Sequence, residues 1–263
     1  MELPLAGKSI CRHLLGFCTI LKVIGVTDIL ISDCDYTEAM ARGLGDGNYW
    51  SLSLDYQRGR RFDALGQLLE FYRGRFKADD VLIVFGEVLP IINHRSEFLN
   101  NLEPIADPML AQEEGLYLYV NGCLFRWDCP MYRIDTLKSY FDANFAMLSQ
   151  SGLHVLPGYS PRKEYAIGKN VLIKPDCKIE TPVVLGDEVY LERGVVIRDG
   201  VIVGADVMID EKTELSHSVV FDHSYIGRNL SIRNKIVSRN RIVDPTTGAF
   251  VDLEDAFLAG DFS

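Results

Sequence analysis

Histidine is scarce in this chain, five in 263 residues, and tryptophan scarcer, at two. His13, His94 and His154 stand at no metal-ligand or triad spacing, and no serine sits in a nucleophile elbow, which removes Ser-His hydrolase chemistry from the candidates. No long basic run occurs: 27 Lys and Arg against 37 Asp and Glu give a net charge of −10. A phosphate backbone is repelled by such a field on average, so nucleic acid is not expected as a partner, although a local pocket can still oppose the net sign for a small anion. The six cysteines, Cys11, Cys18, Cys34, Cys123, Cys129 and Cys177, form no metal-ligand pairs. The closest two, Cys123 and Cys129, are separated by five residues and lack a second pair, which argues against zinc. Reduced, mostly buried thiols in a cytoplasmic protein are expected instead. The most apolar run, Leu14 to Val26, is broken by Lys22 and has no basic segment before it, so neither a signal peptide nor a membrane span is expected.

A repeat dominates the second half. From Ile167 every sixth residue is large and apolar: Ile167, Ile173, Ile179, Leu185, Leu191, Ile197, Val203, Ile209, Leu215 and Phe221. At the apolar frequency of the chain, ten hits in one phase arise by chance roughly once in 1,500 trials. The position four later is small or β-branched almost throughout, as at Val183, Val189, Val195, Val201, Val207, Thr213 and Val219. Two inward positions in six residues do not fit a helix. Glycine follows the lead residue at Gly168, Gly186 and Gly204, a spacing of 18, so three hexads make one coil. The pattern predicts a parallel β-helix of triangular section, four to five coils long, with a register slip at Ser224–Ile226 and an end near Val243.

The first half alternates helix and strand patterns. Ser9 is placed to cap a helix through Val23, and Val26–Ser32 reads as a strand. Thr37 opens a short helix, Trp50–Gln57 alternates as a strand, and Phe62–Arg73 is helical. Val81–Phe85 is a continuous apolar run of the kind buried in a parallel sheet, and the strand candidates Gly115–Asn121 and Leu124–Asp128 precede a helix over Asp135–Leu148 capped by Asp135. Such alternation predicts an α/β layer fold. The expected organisation is an α/β domain over 1–150, a Gly/Pro linker over 151–165, the hexapeptide β-helix over 166–243, and a C-terminal cap or tail over 244–263. There, Asp244 to Gly248 forms a turn, and Phe250, Leu253 and Phe257 fold back as an apolar cap.

Leu5-Ala6-Gly7-Lys8-Ser9-Ile10, Leu44-Gly45-Asp46-Gly47 with Trp50 and Leu54-Asp55-Tyr56, and Ile134-Asp135-Thr136 with Tyr140, Ala143 and Asn144 are similar to segments of the sugar-1-phosphate nucleotidyltransferases, above all the mannose-1-phosphate guanylyltransferase and glucose-1-phosphate nucleotidyltransferase-like branches. Val81 to Leu89, with Gly86 and Glu87, sits where that family has its buried strand ending in N-G-D-x-L. The resemblance covers most of residues 4–90 and 130–245. It implies a Rossmann-like nucleotidyltransferase-type domain followed by a left-handed hexapeptide β-helix, in sugar-nucleotide or polysaccharide metabolism.

The departures from the family concern its chemistry. No G-G-x-G-T-R loop of the kind that cradles a triphosphate precedes Leu3, and the family's G-T-A motif corresponds to Phe62-Asp63-Ala64. The resemblance assigns two acids to the magnesium ion that bridges the phosphates; Glu87 stands for the first and Arg133 falls at the second. An arginine there repels a metal and suits a phosphate. Gly86, Glu87, Arg133 and Asp135 are therefore the candidates for binding a sugar phosphate or nucleotide sugar, with Glu87 the lone metal candidate and magnesium needed only by an active enzyme. The expectation is a catalytically degenerate homologue that binds, regulates or assembles. Its alternatives are an active enzyme making a nucleotide sugar, and an acyltransferase of the hexapeptide class using His217 or His223, which are six residues apart and so lie on successive faces. Self-association through residues 166–243, as dimer or trimer, follows from the resemblance as well.

Overall fold

The computed structural model describes residues 4–5, 8–9, 27–33, 37–60, 62–75, 80–85, 87–90, 102–111, 113–149 and 165–252. The chain divides into two compact units, one of Met1–Glu2 with Ile10–Ile134, the other of Leu3–Ser9 with Asp135–Ser263.

In the second unit the hexads form a parallel β-solenoid of roughly four coils. Partners lie one coil apart: Tyr165 pairs with Val183, Leu172 with Tyr190, Lys178 with Val196. Lead residues Leu185, Leu191, Ile197, Val203, Ile209 and Leu215 are wholly buried in one continuous column. Each such side chain contributes about 1.5–3 kcal/mol relative to exposure. Ile173, on the first coil of the described residues, stays 41% exposed.

The corners explain the other periodicities. Asn170, Glu188, Asp206 and His223 stack at one corner with positive φ, and the last three donate their amides to Lys169, Asp187 and Ala205 of the preceding coil at 2.7–2.9 Å. The glycine column beside them answers a different need. Gly168, Gly186 and Gly204 do not have positive φ, but a Cβ on Gly186 would fall on the Gly204 backbone, and one on Gly204 on the Asp222 carboxylate. Asp187 and Asp222 use the room to accept from the amides of Lys169 (2.6 Å) and Ala205 (2.8 Å) one coil away.

The register slip lies earlier than the sequence pattern placed it. Arg198 pairs with Ser216 but Val201 with Ser218, so Asp199 and Gly200 together oppose His217 in a bulge, and every later coil contact is 17 residues apart, as Met208 with Tyr225. Val220, not Phe221, is therefore the buried equivalent of Val203. Phe221 turns outward against Tyr140, ring centroids 6.1 Å apart. Buried hydroxyls stitch the shortened coil: Thr213 donates to the Gly227 carbonyl at 2.6 Å, and Ser224 to Phe221 at 2.6 Å.

Three helices are described. Helix α1 spans Thr37–Leu44, α2 spans Leu65–Tyr72 and α3 spans Leu137–Ser149. The cap of α3 is Thr136 rather than Asp135: its hydroxyl accepts from the Ser139 amide at 3.0 Å. Phe145 and Leu148 of α3 pack over Gly200, and Phe145 stacks on the His217 ring at 3.7 Å, so the bulge is where the helix seats.

The first unit holds mixed sheets. Strand Asp28–Asp33 pairs parallel with Ser53–Arg58, while Val81–Phe85, expected in a parallel sheet, pairs antiparallel with Gly115–Val120 in a four-stranded sheet completed by Cys123–Trp127 and Leu102–Ile105. Asn121 (φ 50°) and Gly122 (φ 82°) make the two-residue hairpin turn that joins Gly115–Val120 to Cys123–Trp127, whereas the direction of Val81–Phe85 is set by its distant partner. A doubly wound parallel sheet is therefore not the arrangement of the described residues. Leu116, Tyr117 and Trp127 are buried against the four-stranded sheet. Residues 48–50 form a 3-10 turn, so the second strand begins at Ser53.

Ser9 ends a short strand paired with Pro4–Leu5, and the helix expected after it, like the linker at 151–163, lies outside the described residues. The parallel coils end before the expected Val243: Arg241–Val243 already turns back antiparallel to Ile236–Ser238, and Phe250–Asp252 returns antiparallel in its turn. That return does not bury an apolar cap: Phe250 is 56% exposed, with the Arg241 guanidinium 4.1 Å above its ring. Leu253 and Phe257 lie outside the described residues. Among the described residues no helix is long and apolar enough to cross a membrane.

Candidate functional site

Two positions that the sequence singled out, 40 residues and more apart, meet in the first unit. Val88–Pro90 pairs antiparallel with Met131–Arg133, Arg133 stands opposite Val88, and the Ile134 amide donates to the Glu87 carbonyl at 2.8 Å. In this register Glu87 falls opposite Ile134, one position past Arg133, and neighbouring strand positions face opposite ways, so the pairing joins the two backbones without setting their side chains side by side. Val88 and Leu89 are buried, which fixes this strand pair, while Glu87 and Arg133 are both exposed. Gly86 lies outside the described residues.

The surroundings of Arg133 are basic as well as apolar. Burial pushes the Tyr117 phenol up, against the opposing charges of Arg126 and Arg133 and with a further upward push from Glu113. Its hydroxyl donates to the Glu113 carbonyl at 2.5 Å. Arg126 is ion-paired with Glu113, whereas no ion pair among the described residues engages Arg133. One arginine is thus tied down and the other is available to an anion.

Asp135 belongs to the start of α3, where its carboxylate accepts from the Ser139 hydroxyl at 3.0 Å. The Leu44-Gly45-Asp46-Gly47 segment serves the turn between α1 and the strand at Ser53. Asp46 accepts from the Asn48 amide at 3.1 Å, Gly45 and Gly47 have φ of 66° and 89°, and a Cβ on Gly47 would strike Leu52 and Leu54.

His217 and His223 occupy successive corners of the solenoid, both with positive φ. His217 is stacked on Phe145 and edge-on to Phe141, with Nδ1 3.3 Å from the Asp199 carbonyl. Its ring is taken up in seating α3. His223 is exposed, with Nδ1 2.9 Å from Asp206 Oδ2. A reading for histidines and strand-end acids passed over Glu188 and Asp206, which share the His223 corner; their 18-residue spacing in the hexad phase was the available signal.

Magnesium bridging phosphates needs converging carboxylates. The strand pair supplies one carboxylate and one guanidinium, and no group of three or more His, Cys, Asp or Glu among the described residues could hold a metal. This donor set does not fit the ion. The described cysteines, Cys123, Cys129 and Cys177, are free thiols; Cys123 is exposed rather than buried, and burial pushes the Cys129 thiol up to about 11. The chain matches no protein-family model and no curated protein.

Proposed function

We propose that the chain is a sugar-nucleotidyltransferase-like protein of sugar-nucleotide or polysaccharide metabolism that binds a sugar phosphate or nucleotide sugar without turning it over. The observation that supports this reading is the strand pair that brings the Glu87 and Arg133 segments together, with Arg133 exposed and in no ion pair among the described residues. Nucleotidyl transfer brings two anions together, and the charge of its transition state must be offset by metal and preorganised donors. A guanidinium in place of the second carboxylate offsets a ground-state phosphate but carries no metal. Phe62-Asp63-Ala64, where the resembling family has G-T-A, also denies a ligand the close backbone approach that glycine gives. The solenoid, with its flat stacked faces, would serve self-association.

The test is calorimetric titration of the full chain with glucose 1-phosphate and mannose 1-phosphate, beside a pyrophosphate-release assay across the four nucleoside triphosphates. Saturable binding weakened about tenfold or more in Arg133→Ala, with no pyrophosphate released, is expected. Magnesium-dependent turnover abolished by Glu87→Ala would overturn the reading in favour of an active enzyme.

A further inference from the structure

The corner column of the solenoid opens onto a groove of about 490 Å3. Glu188, Asp206 and His223 border it from successive corner turns, and Tyr190, Met208 and Tyr225 form its floor. The floor residues are consecutive partners on one parallel face, Tyr190 opposite Met208 and Met208 opposite Tyr225. Their chain neighbours Leu191, Ile209 and Ile226 are wholly buried, so the strand alternation sends these three outward. Met208 is 40% exposed.

Two carboxylates line the groove, and the one lysine given against a lining residue, Lys174, lies on its Tyr190 side. Asp206 is engaged by His223, but no ion pair among the described residues engages Glu188. The Lys174 ammonium sits 5.5 Å from the centroid of the Tyr190 ring, which shows that the floor holds a cation on its aromatic surface and that an incoming one takes the place of this side chain there. An anionic ligand would meet both carboxylates. A bare metal ion lacks the converging ligands it needs, and an uncharged apolar ligand would leave a carboxylate desolvated without a partner.

We propose that this groove binds a small organic cation, an ammonium or guanidinium carried on an apolar or planar body, with Glu188 as its charge partner and Tyr190, Met208 and Tyr225 as its floor. The parallel stacking holds the carboxylates and rings on a rigid wall, so little ordering is required on binding. The site lies in the other unit from Arg133 and stands or falls separately from the sugar-phosphate reading.

The experiment is calorimetric titration of the full chain with agmatine, which carries a guanidinium and an ammonium on a short alkyl body. Saturable one-to-one binding in the millimolar range or tighter is expected, weakening with salt. Glu188→Gln should weaken it about tenfold and Tyr190→Leu severalfold, with the wild-type melting temperature kept in both. No saturation by about 10 mM, or unchanged affinity in Glu188→Gln at an unchanged melting temperature, overturns the site. If Glu188→Gln melts lower, Tyr190→Leu and the salt dependence decide by the same criteria. A second arm uses the capped tripeptide Gly-Arg-Gly, which presents the same guanidinium on a peptide backbone. Tighter binding of agmatine supports a free small molecule, and tighter binding of the peptide overturns that assignment.

Discussion

The solenoid and the first unit are held by contacts of different reach. Every strand partner within the coils lies 17 or 18 residues away, so the same pairing is written again at each turn. In the first unit Val81 meets Tyr119 and Leu102 meets Trp127, contacts between distant segments that are each written once. Repetition gives tolerance as well as stability. One residue fewer in the last coils is absorbed at Asp199-Gly200, and the pairing resumes in its new register with Val220, Ile226, Ile232 and Val237 still in the core. A similar loss in Gly115–Val120 would send Leu116 and Tyr117 each to the opposite face of the strand, out of the two different clusters they pack in.

The largest test of this contrast is Ile197→Asp, which places a carboxylate in a column with no exposed surface and no partner. A loss of about 3–5 kcal/mol is expected in denaturant unfolding followed by circular dichroism. Wild-type stability would show that the lead positions do not face inward. Next in size is a pair of glycine substitutions. Gly186→Ala drives a methyl group into the Gly204 backbone of the adjacent coil, where both neighbours are pinned by hydrogen bonds, and should cost about 2–4 kcal/mol. Gly122→Ala meets nothing within 4 Å and pays only for its positive φ of 82°, about 1 kcal/mol. Equal costs would mean that the glycine column serves the backbone conformation and not the stacking.

What was legible in the residues follows the same contrast. The hexad phase exposed the solenoid, its inward positions and its 18-residue coil, because a two-in-six burial pattern repeated ten times leaves no other regular structure. The phase alone misplaced the slip, since Leu215, Val219 and Phe221 are all apolar and fit either register; only the pairing of Val201 with Ser218 distinguishes them. In the first unit the apolar run Val81–Phe85 was recognisable as a strand, but its direction is set by a partner that starts at Gly115, and no local pattern carries that information. Glu87 and Arg133 were found through resemblance, and the meeting of their segments is a product of the strand pair. The groove at Glu188 was passed over because its acids look like ordinary turn residues until coils stack them.

A smaller effect tests how the bulge serves the helix seated on it. His217→Ala and Phe145→Ala remove the two halves of a stacked pair at 3.7 Å, and a double-mutant cycle should return a coupling of about 0.5–1.5 kcal/mol. Additive losses would mean that the ring contact contributes nothing beyond burial.

The smallest effect concerns the hairpin turn that follows the solenoid. Asp244 accepts from Lys235 at 2.7 Å and from the amides of Thr246 and Thr247 at 2.9 Å, and these bonds hold its carboxyl well below the ordinary value of 3.8. Because the folded value is depressed, the stabilisation is fully present above the unfolded value and disappears as the pH falls from about 4 through the folded one. Wild type should therefore exceed Asp244→Asn in stability by a constant margin above pH 5. The margin should narrow below pH 4, since the amide substitution mimics the protonated acid and removes its titration. The partial exposure of this turn keeps the margin small and sensitive to salt. Melting temperatures of both proteins between pH 2 and pH 6 measure it directly. A margin unchanged across that range would place the work of Asp244 in turn geometry alone.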